Sequence, residues 1–457
     1  MSDIAGHIDA NYDDFLAELK DFLRIQSIST ESGFAEPTRQ CAEFVADKVR
    51  ALGFSGVEVI ATEGNPMVVG QHTEQPGAPT LLVYGHYDVQ SVDPVDLWTD
   101  PPFEPTERDG RLYARGAIDD KGQVHMHLKA LETRLKGGTG LPVNVKLVIE
   151  GEEEVGSSNL DGFLRAQAER LACDAVVISD TSMLAADCPS IGTGLRGIAY
   201  LDVIVTGPAG DLHSGSYGGA VVNPANAMAS MIAPLRDADG KVTVPGFYDA
   251  VRPMTEAEKA QVAGLPFSDE EFREEVGAPA LGGEAGFSTL ERVWYRPTLD
   301  VNGMISGFTG DGSKTVLPSK ASAKISMRLV PDQDPDDIAE RFEEHFKSLA
   351  PSGVSVEVIR SHGGQPWAAD PDRPIYDAAA AALETVFEKE PVYIREGGSI
   401  PIVSLFEEVF EAPVLLLGFA LPGCNAHAPD EWIDLDIYRK GIKTIAHFYD
   451  EVASRGV

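Results

Sequence analysis

LLVYGHYDVQ, residues 81–90, opens with five apolar residues and turns at once to His86 and Asp88. A run this short, apolar without alternation, reads as a strand buried on both faces rather than as a helix. Runs of the same kind recur at 67–70 (MVVG), 143–149 (VNVKLVI) and 175–179 (AVVIS). A stretch with helical spacing, 122–136, falls between residues 81–85 and 143–149, and two more, 7–24 and 39–52, come earlier. Buried strands separated by helices predict an α/β domain, its mostly parallel sheet flanked by helices.

The pattern changes after about Gly194. A strand is predicted at 199–206 (AYLDVIVT), a helix at 223–235, a strand at 321–330 (ASAKISMRLV), a helix at 335–348 and a strand at 354–360. This is the order of a small α+β layer of the ferredoxin-like kind. A polar stretch rich in Glu, Gly and Pro, about 246–296, interrupts it with no role that its composition assigns. The α/β style then resumes, with a helix at 374–388, a strand at 414–417 and a helix at 436–452. The expected organisation is a discontinuous catalytic domain, 1–194 with 372–457, and an inserted domain, 195–371.

The 457 residues carry a formal net charge of −35, so phosphate backbones and anionic lipid are repelled and no nucleic-acid or membrane partner is expected. No apolar run is long enough to span a bilayer, and the first residues show no secretion signal. Cys41, Cys173, Cys188 and Cys424 are spread without C-x-x-C spacing and read as reduced thiols, which points to a cytoplasmic protein.

Several predicted strands end on metal-capable side chains. LLVYG runs into His86, VKLVIEG into Glu152, Glu153 and Glu154, AVVIS into Asp180, and VLLLGFA into a Pro-Gly loop carrying His427. Ligands of open α/β sheets bind beyond the carboxyl ends of the strands. Asp119 and Asp120 stand just before the predicted helix at 122–136. Each has a plain alternative: a histidine can cap or face solvent, the aspartates can cap the helix, and the glutamates can form a solvated turn. Together, two histidines and three or more carboxylates at equivalent positions favour a metal site. His125 and His127, two apart on a predicted helix, point to different sides. With His7 and His72 they are read as surface residues.

The strings YGHYDVQ (84–90), YARGAIDDKGQ (113–123), IEGEEEVGS (149–157), ISD (178–180), DLHSG (211–215), REGGSIP (395–401) and PGCNAHAPDE (422–431) stand in this order along the chain. They resemble the co-catalytic metallopeptidases that include carnosinase-type cytosolic dipeptidases, carboxypeptidase G, aminoacylase and succinyl-diaminopimelate desuccinylase. KTVLP (314–318), MRLVP (327–331) and REGGSIP look most like the dipeptidase branch. The resemblance implies two divalent ions per subunit, Zn²⁺ or Mn²⁺, bridged by Asp119. His86 and Asp180 would complete one ion, Glu154 and His427 the other. Glu153 would be the general base, Asp88 would orient His86, and the Asp119–Asp120 peptide would be cis. Two such ions about 3.5–4 Å apart can share a hydroxide and polarise a scissile carbonyl, and a carboxylate can carry the proton to the leaving amine.

In the insertion, Lys324, Ser326 and Arg328 share one face of a predicted strand, opposite Ile325, Met327 and Leu329. The pattern alone fits a solvated face. The resemblance makes Arg328 the grip on the substrate's terminal carboxylate, a task suited to guanidinium. Gly397, Gly398 and Ser399 precede a helical stretch, where backbone N–H groups can cradle an anion, or they form a plain turn. By resemblance His213, joined by Thr315, reaches across a homodimer formed through the insertion and stabilises the oxyanion in its partner. The implied activity is hydrolysis of a small peptide, with N-acyl amino-acid deacylation as the alternative. A non-catalytic binding protein would be expected to lack the base or a ligand, and all six positions are intact.

Overall fold

The computed structural model describes residues 4–398, 400 and 402–457. They form two compact units: Met1–Thr193, Ala369–Ile394 and Ile402–Val457 make the first, Gly194–Ala368 and Arg395–Pro401 the second.

The first unit is built on a sheet of β1 (Ser55–Ile60), β2 (Met67–His72), β3 (Thr80–His86), β4 (Asn144–Glu150), β5 (Ala175–Ile178), β6 (Ser190–Leu195) and β7 (Val414–Leu416) in the order β1-β2-β4-β3-β5-β7-β6. Its four central strands, β4, β3, β5 and β7, run parallel. The strands toward both edges are antiparallel. Every residue of β4 and β5 is buried, as continuous apolar runs demand. The parallel register levels the carboxyl ends: His86 stands opposite Glu150, Tyr84 opposite Ile178, and Ile178 opposite Leu416. Side chains that follow these strands therefore emerge at one edge.

Helices α1 (Ile4–Leu23), α2 (Ala35–Ala51), α3 (Lys121–Lys136), α4 (Pro374–Phe387) and α5 (Leu435–Arg455) surround this sheet. On α5, Gly441 lies so near α3 that a β-carbon there would sit 2.4 Å from the Met126 sulfur. Arg134 near the end of α3 makes two hydrogen bonds to Asp450, of 2.8 and 2.6 Å. The core is continuous from α1 through the sheet to α5.

His125 and His127, expected at the surface, are buried. Helix α3 is covered nearly all round, so both of its sides face protein. His125 bonds Tyr438 Oη at 2.7 Å, and His127 Nε2 lies 2.7 Å from Ser179 Oγ. His7 and His72 are half-buried, again unlike the surface placement expected.

The second unit holds a four-stranded antiparallel sheet, ordered Thr298–Ser306, Lys320–Leu329, Gly197–Thr206 and Ser355–Gly364. With helices Pro224–Ile232 and Pro335–Ser348 this is the ferredoxin-like arrangement. Gly197–Thr206 alternates strictly between buried and half-buried positions, its buried side packed on Phe342 and Phe346. The strand Thr298–Ser306, which the sequence pattern does not place, is mostly exposed at the sheet edge. The polar stretch contains helices Glu256–Ala263, Asp269–Glu275 and Thr289–Trp294; the first and last open with capping boxes, Thr255 with Glu258 and Ser288 with Glu291.

Burial drives the His127 imidazole down to about 3. A histidine in an unfolded chain titrates near ~6.5. As pH falls below that value, the unfolded chain gains a proton that the native state refuses, so stability drops by up to about 1.4 kcal/mol per pH unit. His127→Gln is expected to lose less stability than wild type between pH 7 and pH 5, measured as the shift of the urea midpoint.

Candidate metal centre

Every ligand candidate lies in the first unit. His86 ends β3 and is fully buried. Asp119 stands just before α3, Glu154 in the short 3₁₀ turn Glu153–Val155 after β4, and Asp180 two residues beyond β5. His427 sits in the loop that follows β7 with a backbone φ of +61°, and Asn425 and Asp430 of the same loop also have positive φ. Such left-handed backbone at non-glycine residues is costly and clusters at functional sites.

The donor atoms fall into two groups of three, His86 with Asp119 and Asp180, and Asp119 with Glu154 and His427, each group within 4.8 Å. Asp119 belongs to both, one oxygen to each. Its Oδ1 is 3.1 Å from His86 Nε2, and its Oδ2 is 2.9 Å from His427 Nε2. His86 Nε2 is 3.8 Å from Asp180 Oδ2, and His427 Nε2 is 3.1 Å from Glu154 Oε2. The Asp119–Asp120 peptide is cis.

The donor set fits cations. His86 Nε2 is buried and makes no hydrogen bond, although carboxylates surround it. Burial, reinforced by the Asp119 and Asp120 charges, pushes Asp180 well above the carboxylate range. Burial, with Glu154 and Asp119 beside it, pushes Glu153 up to about 7. So many carboxylates at close quarters are a standing repulsion that positive ions relieve. Imidazole mixed with carboxylate suits ions such as Zn²⁺ or Mn²⁺.

Asp88 is buried and engages both sides of the site. Its Oδ1 lies 3.3 Å from His86 Nδ1, and its carboxylate accepts the backbone N–H groups of Glu153 and Glu154 at 3.3 and 3.2 Å and the Ser29 hydroxyl at 2.6 Å. A proton on Nδ1, facing the Asp88 carboxylate and its carbonyl at 3.1 Å, leaves the Nε2 lone pair for a cation. Asp120 occupies the N-cap position of α3 without capping it; its carboxylate accepts the His86 N–H at 3.2 Å. Glu152 turns away to Asn159 at 2.7 Å.

Three positioning residues escape a search for ligands. Gln90 donates to Glu154 Oε2 at 2.9 Å. Glu150 is buried and accepts from Tyr84 Oη at 2.5 Å and Ser157 Oγ at 2.8 Å. Glu431 accepts Arg115 Nη1 at 2.7 Å and the N–H groups of Gly116, Ile118 and Asp119 at 2.9, 2.9 and 3.1 Å. Its signal was its place in PGCNAHAPDE, four residues after His427.

The remaining candidates lie in the second unit. His213 and Thr315 are adjacent: Leu212–His213 pairs with Val316–Leu317, and Ser214 N–H donates to the Thr315 carbonyl at 3.0 Å. Both side chains are exposed. Arg328 is half-buried on Lys320–Leu329, and Met327 and Leu329 on either side of it are fully buried. Gly398 is exposed, with its carbonyl taken by Arg196 N–H at 3.1 Å. Ser399 lies outside the described residues.

The signature of Peptidase family M20/M25/M40 matches residues 82–451, and the chain belongs to that family. It is 34% identical to the Cys-Gly metallodipeptidase dug1 of Schizosaccharomyces pombe, covering 98% of this chain and 97% of that protein. It is 32% identical to the human Beta-Ala-His dipeptidase, covering 99% and 93%. Among solved structures, the di-peptidase Dug1p of Saccharomyces cerevisiae superposes with a TM-score of 0.87 at 30% identity over all of both chains. Human carnosine dipeptidase 1 gives 0.86 at 31% identity over 99% and 98%. The chain is therefore a metallopeptidase-type hydrolase of the dipeptidase branch.

Replacing Glu431 by Gln keeps the shape but trades an acceptor oxygen for an N–H₂ group that faces donors. Metal affinity is expected to fall about 10–100-fold, the usual effect of losing a group that orients a ligand. Competition with a chelating indicator measures it without reference to activity.

Proposed function

We propose that this protein hydrolyses the amide bond of dipeptides or similarly small peptides, with two divalent ions per subunit, Zn²⁺ or Mn²⁺. The observation that carries the reading is Asp119, which offers one carboxylate oxygen to each of two ligand groups. His86 and Asp180 would hold one ion, and Glu154 and His427 the other. Bound ions supply Lewis acidity, lowering the pKa of water and drawing charge from the scissile carbonyl. Glu153 takes the proton from the attacking water and returns it to the amine nitrogen as the C–N bond breaks. Asp88 keeps His86 in one tautomer and steadies the Glu153–Glu154 turn.

Arg328 grips the terminal carboxylate of the peptide, with Gly398 and Ser399 beside it. His213 and Thr315 act in a homodimer, where His213 stabilises the oxyanion of the partner's reaction. Their exposure and their nearness on paired segments support this. So does the edge strand Thr298–Ser306, which ends in exposed Met304 and Ile305 with exposed Phe308 just beyond it, the kind of edge a second chain covers. The first unit is then the catalytic domain, and the second the lid and dimerisation domain. The relatives named above are dipeptidases, so the deacylase alternative is not carried forward.

Metal-stripped protein is expected to cleave no member of a dipeptide panel and to recover on adding Zn²⁺ or Mn²⁺. Glu153→Gln with metal restored should be slower by at least ~10²-fold. Undiminished turnover by Glu153→Gln removes it as the base. For the dimer, His213→Ala should stay dimeric and metal-loaded yet lose ~10²-fold or more in kcat, as oxyanion donors do. A strict monomer with full activity rules out action in trans.

A further inference from the structure

Within the second unit lies a cavity of about 640 Å³, the size of a small-ligand site. Its charged lining is lopsided. Arg196, Arg236, Arg292, Arg296 and Arg328 stand there against two carboxylates, Glu284 and Asp300. Arg296 is matched to Glu284 through two bonds of 2.7 Å, and Arg236 to Asp300 at 2.7 Å. Arg196 and Arg292 are left to backbone carbonyls. Arg196 Nε donates to Gly397 at 2.9 Å, while Arg292 donates to Glu284 and Gly282 at 2.8 and 3.0 Å.

A carbonyl orients a guanidinium but does not neutralise it. Burial and then repulsion from Arg328 pull Arg196 down to about 10. In a chain of net charge −35, surplus positive charge gathered around one cavity is a local inversion of the field. Desolvated guanidiniums gain most from carboxylates, which their planar fork matches in two bonds.

We propose that the cavity selects peptides whose C-terminal residue carries a second carboxylate, the side chain of aspartate or glutamate. Arg328 holds the terminal carboxylate, and Arg196 and Arg292 hold the acidic side chain. This rests on the dipeptidase reading and names its substrate class. It also gives the polar stretch a task, because Glu284, Arg292 and Arg296 come from it and form one wall. The same stretch also holds Arg395, whose guanidinium lies 4.1 Å from the centre of the Tyr295 ring and 3.3 Å from Glu258.

The test uses the full-length, metal-loaded protein with Ala-Glu and Ala-Gln, which differ in charge but hardly in shape. The kcat/KM ratio of Glu over Gln is expected to reach about tenfold or more, as a charge-assisted pair allows, and to shrink with added salt. Arg196→Gln and Arg292→Gln should each lower that ratio several-fold. The ratio is read within each variant, so a general loss of activity does not disturb it. On wild type, glutarate should inhibit at a concentration about tenfold lower than butyrate, since it carries the second charge. A ratio at or below unity, with glutarate no better than butyrate, overturns the proposal while both peptides are still cleaved and the dipeptidase reading stands. If no dipeptide is cleaved with any metal, that reading fails instead. Calorimetric titration with glutarate and butyrate then decides the cavity alone: tighter binding of glutarate supports it, and equal or absent binding overturns it.

Discussion

The carboxylate of Glu431 is buried completely and accepts four N–H groups, three of them from the backbone of one loop. That loop has no regular structure to fix it. Gly116 sits at φ +81°, and a β-carbon there would press within 2.7 Å of Val89. Strand Trp432–Asp434 pairs with Arg111–Tyr113, and the Glu431 carbonyl takes the Ala114 N–H at 3.1 Å, so the acid is anchored on both sides of its side chain. A neutral acceptor in that place would leave Arg115 as a buried, unmatched charge, which is far more costly than a lost hydrogen bond. Asp119 is the last residue so held, and both ligand groups depend on it.

Sheet register supplies the other half of the site. Parallel pairing brings the ends of β3, β4, β5 and β7 to one level, where His86 closes β3 and the segments after β4, β5 and β7 carry Glu154, Asp180 and His427. A parallel centre needs crossover helices, and α3 is the crossover between β3 and β4. Asp119 thus stands at the N-terminus of that helix, its position set by the topology that sets His86. The antiparallel strands toward the edges add no ligand; they complete the sheet around a centre whose geometry is already decided.

What the sequence made legible follows from these facts. Continuous apolar runs are visible because both faces are buried, and a polar residue directly after such a run stands out. Glu431 left only its place in the motif after His427 as a trace; its contacts were not legible, since a linear string does not show that an acid after a Pro-Asp pair returns to backbone donors over three hundred positions earlier. His125 and His127 misled for a related reason. Their spacing showed two faces of one helix, but not that α1, α5 and the sheet together cover both. Thr298–Ser306 was missed because its side chains are mostly exposed and lack the apolar period of a half-buried strand. The helices of the polar stretch leave a readable trace, the capping pairs Thr255 with Glu258 and Ser288 with Glu291, within a composition that otherwise resembles a loop.

The two units impose opposite electrostatic surroundings. A cation centre needs several carboxylates close together, and they repel the free carboxylate that every peptide carries at one end. Asp119, Asp120, Glu153, Glu154 and Asp180 crowd that centre, and burial with mutual repulsion pushes Asp120, Glu153 and Asp180 above the usual carboxylate range. On the proposed reading, recognition of the carboxylate falls to side chains outside that cluster, in a chain of net charge −35. An inserted unit is a physical solution, because its residues are free to be cationic without competing for the metal. The second unit gathers five arginines, Arg196, Arg236, Arg292, Arg296 and Arg328, around one cavity in an otherwise acidic protein, which suits that reading.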